Sequence, residues 1–327
     1  MSVENRRIFI DYTRGSMTEV LQEQTELFNA ATKNGLILRA KKNEGDFSTQ
    51  TMWAEIASLV KRRDVRGTGN VAALDLTELA EASVKVGAST PPVNIPPAMF
   101  TYMNEDPKKG GVIYGEQLAK ARLADMLEVG IAAFVAALSA EPKNYLDRKA
   151  VGTTLSVLNE GSAKLGDAAD RISAWLMHST VLHDIYGTAL ANQERLFEFG
   201  NVRVVSDGFG RPLVMSDNAS LLNVNGAAAD VNSYNTCGLV AGGVMIDDNG
   251  DFYQNIETSN GKENIIRTIQ SEWTYNTAVK GFAWDKTNGG TSPNTASIAT
   301  AANWDRVATD HKNLAGVVIE TRAQSAV

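Results

Sequence analysis

The sequence predicts an α+β fold, and three observations support this prediction. Apolar residues recur at helical spacing through residues 115–140, which indicates one long amphipathic helix. From residue 200 onwards, short apolar or alternating runs are separated by glycine and asparagine, a texture typical of β-strands. Between the N-terminal region and the long helix lies a stretch with prolines at 91, 92, 96 and 97, which forces an extended path.

The N-terminal region predicts one amphipathic helix over residues 16–33. Ser16 and Glu19 have the spacing of a capping box, and Asn34-Gly35 is a helix stop. The apolar edge of this helix, which includes Phe28, is narrow. We therefore expect an arm that packs on something other than the core of its own subunit.

Residues 36–75 predict a long, exposed excursion. Apolar residues such as Trp53 lead into the only dense basic cluster of the chain: Lys61, Arg62, Arg63 and Arg66. Two interpretations of this cluster stay open, a solvated loop or a segment that docks onto an acidic neighbour such as residues 246–251. Gly67-Thr68-Gly69 lacks the strand–glycine–helix context of a phosphate loop, so nucleotide binding is not predicted.

Residues 76–150 predict a strand, an edge or loop segment, and the long helix. Residues 83–86 alternate polar and apolar, and the prolines that follow suit an edge or a loop. Residues 104–111 predict a turn, and Pro142 ends the helix. We expect one buried stripe on the helix, formed by Leu118, Leu123, Leu127, Ile131, Phe134 and Leu138. The solvated side should carry Lys120, Arg122, Asp125 and Glu128.

The remainder predicts two shorter helical stretches and then strands. Residues 153–165 and 166–196 predict the helices. Residues 201–217 predict a hairpin that turns at Asp207-Gly208, with apolar residues alternating around it. Further strands are expected within 238–248 and 264–285, and a terminal strand at 314–319.

Composition argues against several classes of protein. The chain has 327 residues, 43% of them hydrophobic and 21% charged, which is typical of a soluble globular protein. The formal net charge of −7 shows no overall basicity that would indicate nucleic-acid binding. No apolar run approaches the length of a membrane span, and the N-terminus lacks the apolar core of a signal peptide. Synthesis in the cytoplasm is therefore expected.

No motif predicts catalysis, a metal site or a cofactor. Cys237 is the single cysteine, and without a charged sequence neighbour it is expected to be an inert, buried thiol. Residues 247–251 fit a tight turn better than a calcium loop. His178-Ser179 and His183-Asp184 lack the glycine spacing of a nucleophile elbow, and two histidines five residues apart do not converge on a metal.

The order of these parts and three phrases resemble the major capsid protein of tailed bacteriophages, which has the Hong Kong 97-like phage capsid fold. AKLGDAADRISAWLMHSTVLHDIY at 163–186, KGFAWD at 280–285 and NWDRVATDHKNLAGVVIE at 303–320 are similar to one subgroup of that family. The resemblance covers about residues 35–327 and consists of packing motifs, not catalytic ones.

The resemblance implies a domain organisation and a function. It implies an N-terminal arm at 1–35, an extended loop at 36–75, a peripheral domain at 76–150 and 246–285 with the spine helix 115–140, and an axial domain at 151–245 and 286–327. It further implies a non-enzymatic subunit that self-assembles into hexamers and pentamers of an icosahedral virion head around double-stranded DNA, without sequence-specific binding. The candidate subunit-interface residues are Phe28, Trp53 and the basic cluster.

The resemblance also implies partners. Many family members carry a cleaved scaffold region at the N-terminus, and an arm of residues 1–35 is too short for one. A separate scaffolding protein is therefore expected, together with a portal and, in some heads, a decoration protein. No lysine–asparagine pair is assigned to a covalent crosslink. Two alternatives stay open: an encapsulin-like compartment of the same fold, and a soluble α/β hydrolase or binding module.

Overall fold

The computed structural model describes residues 3–53, 62, 65–70, 78–95, 106–191, 205–206, 210–223, 232–260, 263 and 265–322. Its α-helices are α1 (Val3–Ala31), α2 (Pro107–Ser139), α3 (Leu155–Ala163), α4 (Ser179–Ala191) and α5 (Thr295–Ile298). Short 3-10 helices span Gly166–Arg171, Ala219–Leu221, Ala301–Asn303 and His311–Asn313. At 1.5 Å per residue, α1 and α2 are each more than about 40 Å long.

Sixteen strands form three sheets among the described residues. The first eight are β1 (Leu36–Ala40), β2 (Phe47–Trp53), β3 (Glu78–Ser89), β4 (Val93–Ile95), β5 (Tyr145–Arg148), β6 (Ile172–Met177), β7 (Val205–Ser206) and β8 (Pro212–Met215). The others are β9 (Leu222–Asn223), β10 (Ser233–Val240), β11 (Val244–Asp248), β12 (Tyr253–Ser259), β13 (Ile266–Val279), β14 (Phe282–Trp284), β15 (Trp304–Arg306) and β16 (Gly316–Arg322).

The first sheet is built around the long strand β13. Its order is β1-β11-β13-β3-β2, and β12 and β4 also pair with β13. One edge of β13 pairs with β11 and then β12, while the other pairs with β3 and then β4. The prolines that precede β4 fit its short edge position, as the sequence predicts.

The second sheet has the order β5-β16-β10-β6-β8-β7, with β9 also paired to β10. The terminal strand β16 lies inside this sheet, antiparallel to β10 and parallel to β5. Its residues are buried except for the last, which explains the nearly continuous apolar run from 317 to 319. The terminal strand is thus confirmed.

Helix α2 joins the two sheets. Its buried residues belong to one apolar cluster that also contains Val244 and Tyr275 of the first sheet and Cys237 and Val318 of the second. Since a helix that contacts two sheets must be apolar on more than one side, α2 is buried around much of its C-terminal half. A smaller cluster between the second sheet, α3 and α4 completes the core.

Helix α1 packs along α2 of the same chain, in contrast to the expectation that it lies on something else. Phe9, Met17 and Leu21 of α1 are buried there. The contact is close because α2 presents glycines: a Cβ at Gly111 would lie 2.7 Å from the Phe9 carbonyl oxygen, and one at Gly115 would lie 2.6 Å from that of Thr13. Glycines four residues apart let two helix backbones approach each other.

Helix α2 begins earlier than the sequence predicts. The predicted turn at 104–111 contains the helix start instead, because Asp106 accepts a hydrogen bond from the Lys109 amide at 3.2 Å and Pro107 occupies the first helical turn. Of the predicted stripe, Leu118, Ile131, Phe134 and Leu138 are buried, and Leu123 and Leu127 are partly buried. The expectation that Arg122 is solvated is wrong, since its side chain is 2% exposed.

Two further expectations need correction. Residues 172–177, which the sequence assigned to a helical stretch, form β6, an interior strand of the second sheet. A mostly apolar run of six residues is compatible with a helix or with a buried strand. Here the run pairs with β10 and β8, so it is a strand. The hairpin of β7 and β8 is confirmed, but its apolar residues do not alternate, because three consecutive residues from Pro212 are buried. The Asp207-Gly208 turn lies outside the described residues.

Candidate assembly surfaces

A ribbon of β2 and β3 projects from the first sheet. Strand β13 pairs with β3 only from Val84 to Ser89, whereas β2 pairs with β3 from Val84 back to Glu78. Among the described residues, the part of β3 before Val84 therefore has one partner strand, β2. Residues 49–51 of β2 and two residues of the facing part of β3 are exposed. Two isolated strands are marginally stable in water, so this end of the ribbon is suited to contact another molecule.

The base of the ribbon is anchored within the subunit. Glu81 accepts a hydrogen bond from the Gly281 amide at 2.7 Å, and the Lys286 ammonium lies 4.5 Å from the ring centroid of Phe47. Burial raises the pKa of Glu81, although the Gly281 amide and the nearby Lys280 oppose that rise. The ribbon therefore leaves the sheet at a fixed place, and its direction is set by the fold.

A groove follows the outer side of α1 where it meets α2. Its volume is about 650 Å³. It is lined by four carboxylate side chains and by three side chains with apolar surface: Asp11, Glu19, Glu23 and Glu116, with Tyr12, Val20 and Val112. We call it the α1–α2 groove. All of its charged lining residues are acidic, while Arg14 lines the adjoining groove beside Asp11 and Glu19. The Lys108 ammonium lies 5.7 Å from the ring centroid of Tyr12.

The structure places the candidate interface residues as follows. Phe28 is partly buried against the core of its own subunit. Trp53 ends strand β2 at the ribbon's far end, where its backbone pairs with Glu78. Arg62 and Arg66 are exposed, while Lys61 and Arg63 lie outside the described residues. The α1–α2 groove was not predicted from the sequence. The pairing of the two helices depends on glycines, which contribute neither charge nor hydrophobic periodicity to the sequence pattern.

The acidic segment 246–251 is not a free partner for the basic cluster. The Arg39 Nε atom lies 2.5 Å from an Asp247 carboxylate oxygen. Arg122 Nη2 lies 2.5 Å from Asp248 Oδ1. Asp251 accepts hydrogen bonds at 2.8 Å from the amide and hydroxyl of Thr274. These carboxylates are engaged within the subunit, and the suggestion that they receive residues 61–66 of a neighbour stays a prediction.

The buried Arg122 ties α2 to the first sheet. Burial lowers the pKa of its guanidinium, and the carboxylates of Asp248 and Asp251 oppose that shift. One turn on, the Tyr275 hydroxyl donates to Asp125 Oδ2 at 2.8 Å, and burial raises the pKa of Asp125 in spite of this bond. A buried, paired guanidinium orients two elements more specifically than apolar contact alone.

A second buried carboxylate, Glu320, holds the second sheet together. Its side chain accepts hydrogen bonds from Ser233 at 2.5 Å, from Asn223 at 3.0 Å and from the Tyr145 hydroxyl. Lys149 Nζ lies 3.3 Å away. Burial opposes ionisation, but these donors and the lysine outweigh it, so the pKa of Glu320 is lowered. Asn223 and Ser233 flank residues 224–232, so Glu320 fixes both ends of that segment.

The structure gives the surroundings of the side chains considered for chemistry. In the described part of the chain, no three His, Cys, Asp or Glu residues are placed to hold a metal ion. His178 accepts from the Thr180 amide at 3.2 Å and packs at 4.8 Å from the Tyr234 ring. Cys237 is buried, and burial raises the pKa of its thiol. Among the described helices, none combines the length and hydrophobicity needed to cross a bilayer.

The arrangement of sheets and helices is that of phage capsid proteins. The capsid protein of Ralstonia phage GP4 is 10% identical, with a TM-score of 0.55 over 90% of this chain and 88% of that one. The capsid protein of cyanophage Pam1 is 11% identical, with a TM-score of 0.54 over 87% of each chain. The head protein of Helicobacter pylori bacteriophage KHP40 is 10% identical, with a TM-score of 0.52 over 89% of this chain and 87% of that one.

These similarities define the fold, and the sequence defines the family. The chain belongs to the Major capsid protein 13-like (Gp13-like) family, whose sequence model matches residues 5–318. None of the curated proteins matches it. The predicted resemblance and fold class are therefore confirmed, and the chain is a structural capsid protein. Membership of this family leaves no support for the hydrolase alternative.

Proposed function

We propose that this chain forms the hexamers and pentamers of an icosahedral phage head that encloses double-stranded DNA. The observation that carries the proposal is the β2–β3 ribbon, whose far end has strand partners only within itself in the described part of the chain. Backbone ordering costs about 1–2 kcal/mol per residue, and contacts with a neighbouring subunit offset that cost. Repeated by symmetry, such contacts close a shell.

The domain organisation in this proposal follows the two sheets. The extended loop, residues 36–75, reaches a neighbouring subunit through the ribbon. The peripheral domain consists of the first sheet and the spine helix α2, and the axial domain consists of the second sheet. The arm, residues 1–35, differs from the expected one, since α1 lies on the spine helix of its own subunit.

The proposed role is structural, without catalysis, and the protein resides in the virion after synthesis in the host cytoplasm. A chain with a net charge of −7 does not bind DNA through dense phosphate contacts. The closed wall therefore retains the genome without sequence-specific binding. Scaffolding, portal and decoration proteins are the expected partners of such a shell. No observation favours the encapsulin-like compartment over the phage head.

The test is the assembly state of the purified full-length protein. Size-exclusion chromatography and negative-stain electron microscopy should show capsomers, flat arrays or megadalton shells. A matched variant in which a short Asn-Gly turn replaces residues 54–77 should keep the circular dichroism spectrum and lose assembly. A monodisperse monomer or dimer of the natural chain would overturn the proposal, and normal shells from the variant would exclude the loop as the contact.

A further inference from the structure

Strand β1 forms one edge of the first sheet. Among the described residues it pairs with a single strand, β11, and the two strands are parallel. Gly35 accepts a hydrogen bond from β11 at 3.3 Å, and the Lys41 amide donates one to β11 at 2.9 Å, so the odd-numbered residues face β11. Because successive residues of a strand direct their backbone groups to opposite sides, the even-numbered residues, including Leu38, direct theirs away from the sheet.

The side chain of Asn29, in the last turn of α1, pairs with this edge as a further strand would. Its amide nitrogen donates to the Leu38 carbonyl at 2.8 Å, and its oxygen accepts from the Leu38 amide at 2.9 Å. An asparagine amide has the same kinds of donor and acceptor as a peptide group. One side chain therefore satisfies both backbone groups of Leu38.

Thr32 extends this contact along the edge. Its hydroxyl lies 3.2 Å from the Leu36 carbonyl and 3.1 Å from the Phe28 carbonyl. Leu36 and Thr32 are fully buried, and Leu38 is 3% exposed. A buried backbone group that loses its partner costs free energy, so the edge of β1 needs either the end of α1 or another strand.

The other end of α1 contacts strand β12. Arg6 donates to the Ile256 carbonyl at 3.4 Å and to the Thr258 hydroxyl at 3.1 Å. In the described part of the chain, β12 pairs only with β13. Helix α1 thus contacts two strands of the first sheet that each have one partner strand.

The composition of β1 makes its cover necessary. The strand reads Leu-Ile-Leu-Arg-Ala, with three consecutive apolar residues. Many edge strands are protected from pairing with other chains by a charged side chain, but Arg39 is already paired with Asp247 on the neighbouring strand β11. We propose that the last turn of α1, through Asn29, prevents the edge of β1 from adding a strand of a second copy of this chain.

This inference goes beyond the proposed function, because it concerns a contact that the free subunit must avoid. Strand addition that does not close on itself gives open fibres, which compete with closed assemblies for the same subunits. Covering the β1 edge leaves the sheet without that competing contact while subunits accumulate.

The first test measures the hydrogen bonds at the edge in the full-length protein. Asn29→Ala removes both bonds to Leu38 and introduces a good helix former, so α1 should persist. Hydrogen exchange, read at single residues by mass spectrometry, should become faster at the Leu38 amide by at least about tenfold, the factor that about 1.4 kcal/mol produces in an equilibrium constant. The amides of Ile37 and Arg39, which face β11, should keep their rates.

The matched control is Gln24→Ala, which removes an exposed side-chain amide from the same helix. It should leave the exchange of Leu38 unchanged. The second test follows aggregation by thioflavin T fluorescence and size-exclusion chromatography. Asn29→Ala should form thioflavin-positive aggregates, whereas the natural chain and Gln24→Ala should form none under the same conditions.

A rescue variant distinguishes strand addition from loss of folding. Ala40 is exposed, and its amide faces away from β11 by the alternation of the strand. Ala40→Pro therefore removes a donor from the edge and leaves the bonds to β11 in place. Combined with Asn29→Ala, it should suppress the aggregates while the Leu38 amide still exchanges fast. Aggregation caused by unfolding would persist in the double variant.

Each outcome decides the proposal. Unchanged exchange at Leu38, fast exchange without aggregates, or aggregates that Ala40→Pro does not suppress would each overturn it. If Asn29→Ala loses its circular dichroism spectrum, Asn29→Asp replaces it, since a carboxylate cannot donate to the Leu38 carbonyl. Asn29→Asp should then aggregate, with suppression by Ala40→Pro, and its failure to aggregate would overturn the proposal. The capsid proposal is tested separately, by assembly of the natural chain.

Discussion

Replacing Gly115 by alanine tests the close approach of α1 to α2. The new Cβ would lie 2.6 Å from the Thr13 carbonyl oxygen, whereas ordinary contact begins at 3.4 Å. Because the obstacle is backbone, α1 must withdraw by about 0.8 Å, a gap that loses about a quarter to a half of the local dispersion energy. Phe9 and Met17 lie in this contact.

The expected loss follows from two opposing effects. Overpacking a helix contact costs about 1–3 kcal/mol. Alanine in place of glycine inside a helix returns about 1 kcal/mol. We expect Gly115→Ala to lower the free energy of unfolding by up to about 2 kcal/mol. The measurement is urea denaturation of the unassembled subunit, followed by far-ultraviolet circular dichroism.

Two other glycines are the controls. Gly15 lies within α1 with nothing within 4 Å of an added Cβ, so Gly15→Ala should raise stability by up to about 1 kcal/mol. At Gly130, also in α2, the added Cβ would meet the end of the Ile246 side chain at 2.6 Å, which can move aside, so Gly130→Ala should be close to neutral. If Gly115→Ala is as stable as Gly15→Ala, the two helices do not touch as described and the reasoning is refuted.

Three further predictions concern buried groups. Arg122→Met should lower the free energy of unfolding by about 3 kcal/mol, because Asp248 loses its cationic partner. The additional change Asp248→Asn should recover much of this loss in urea titrations. An unchanged midpoint for Arg122→Met would contradict the buried pair. The lowered pKa of Glu320 means that its ionised form stabilises the folded state above about pH 4.3, and that this contribution is lost as the pH falls through the folded-state pKa. Glu320→Gln should therefore be less stable at pH 7 and should show a flatter melting temperature between pH 5 and 3; identical pH profiles would refute this. Deleting residues 1–35 should give an aggregated subunit in size-exclusion chromatography, because it uncovers the apolar side of α2, and a soluble, folded subunit would contradict that packing.

The sequence predicts those helices, strands and helix ends whose patterns involve residues close together in the chain. The period of the spine helix, the alternation at residues 83–86 and the stop at Asn34-Gly35 each depend on neighbouring residues, and each is confirmed. The start of α2 was missed because aspartate, proline and two glycines are also the residues of a turn. What decides between a turn and a helix is α1, which packs against Gly111 from about a hundred positions earlier in the chain.

Features that depend on distant partners were not predictable in this way. Arg122 reads as a solvated charge until Asp248, 126 positions away, is placed beside it. The same limitation applies to the assembly surfaces. The basic cluster is visible in the sequence, but only the structure distinguishes carboxylates that are already engaged, such as Asp247, from those that line an open groove, such as Glu23.

The position of β16 inside the second sheet has a consequence for biosynthesis. It pairs with β5, whose Tyr145 lies opposite Val318 of β16. A ribosome must therefore deliver the chain as far as β16 before this sheet can close, and until then β5 and β10 present unsatisfied edges. Late closure of long-range strands is slow and favours aggregation. A coat protein needed in many copies at once should thus depend on chaperones during the interval between translation of β5 and arrival of β16.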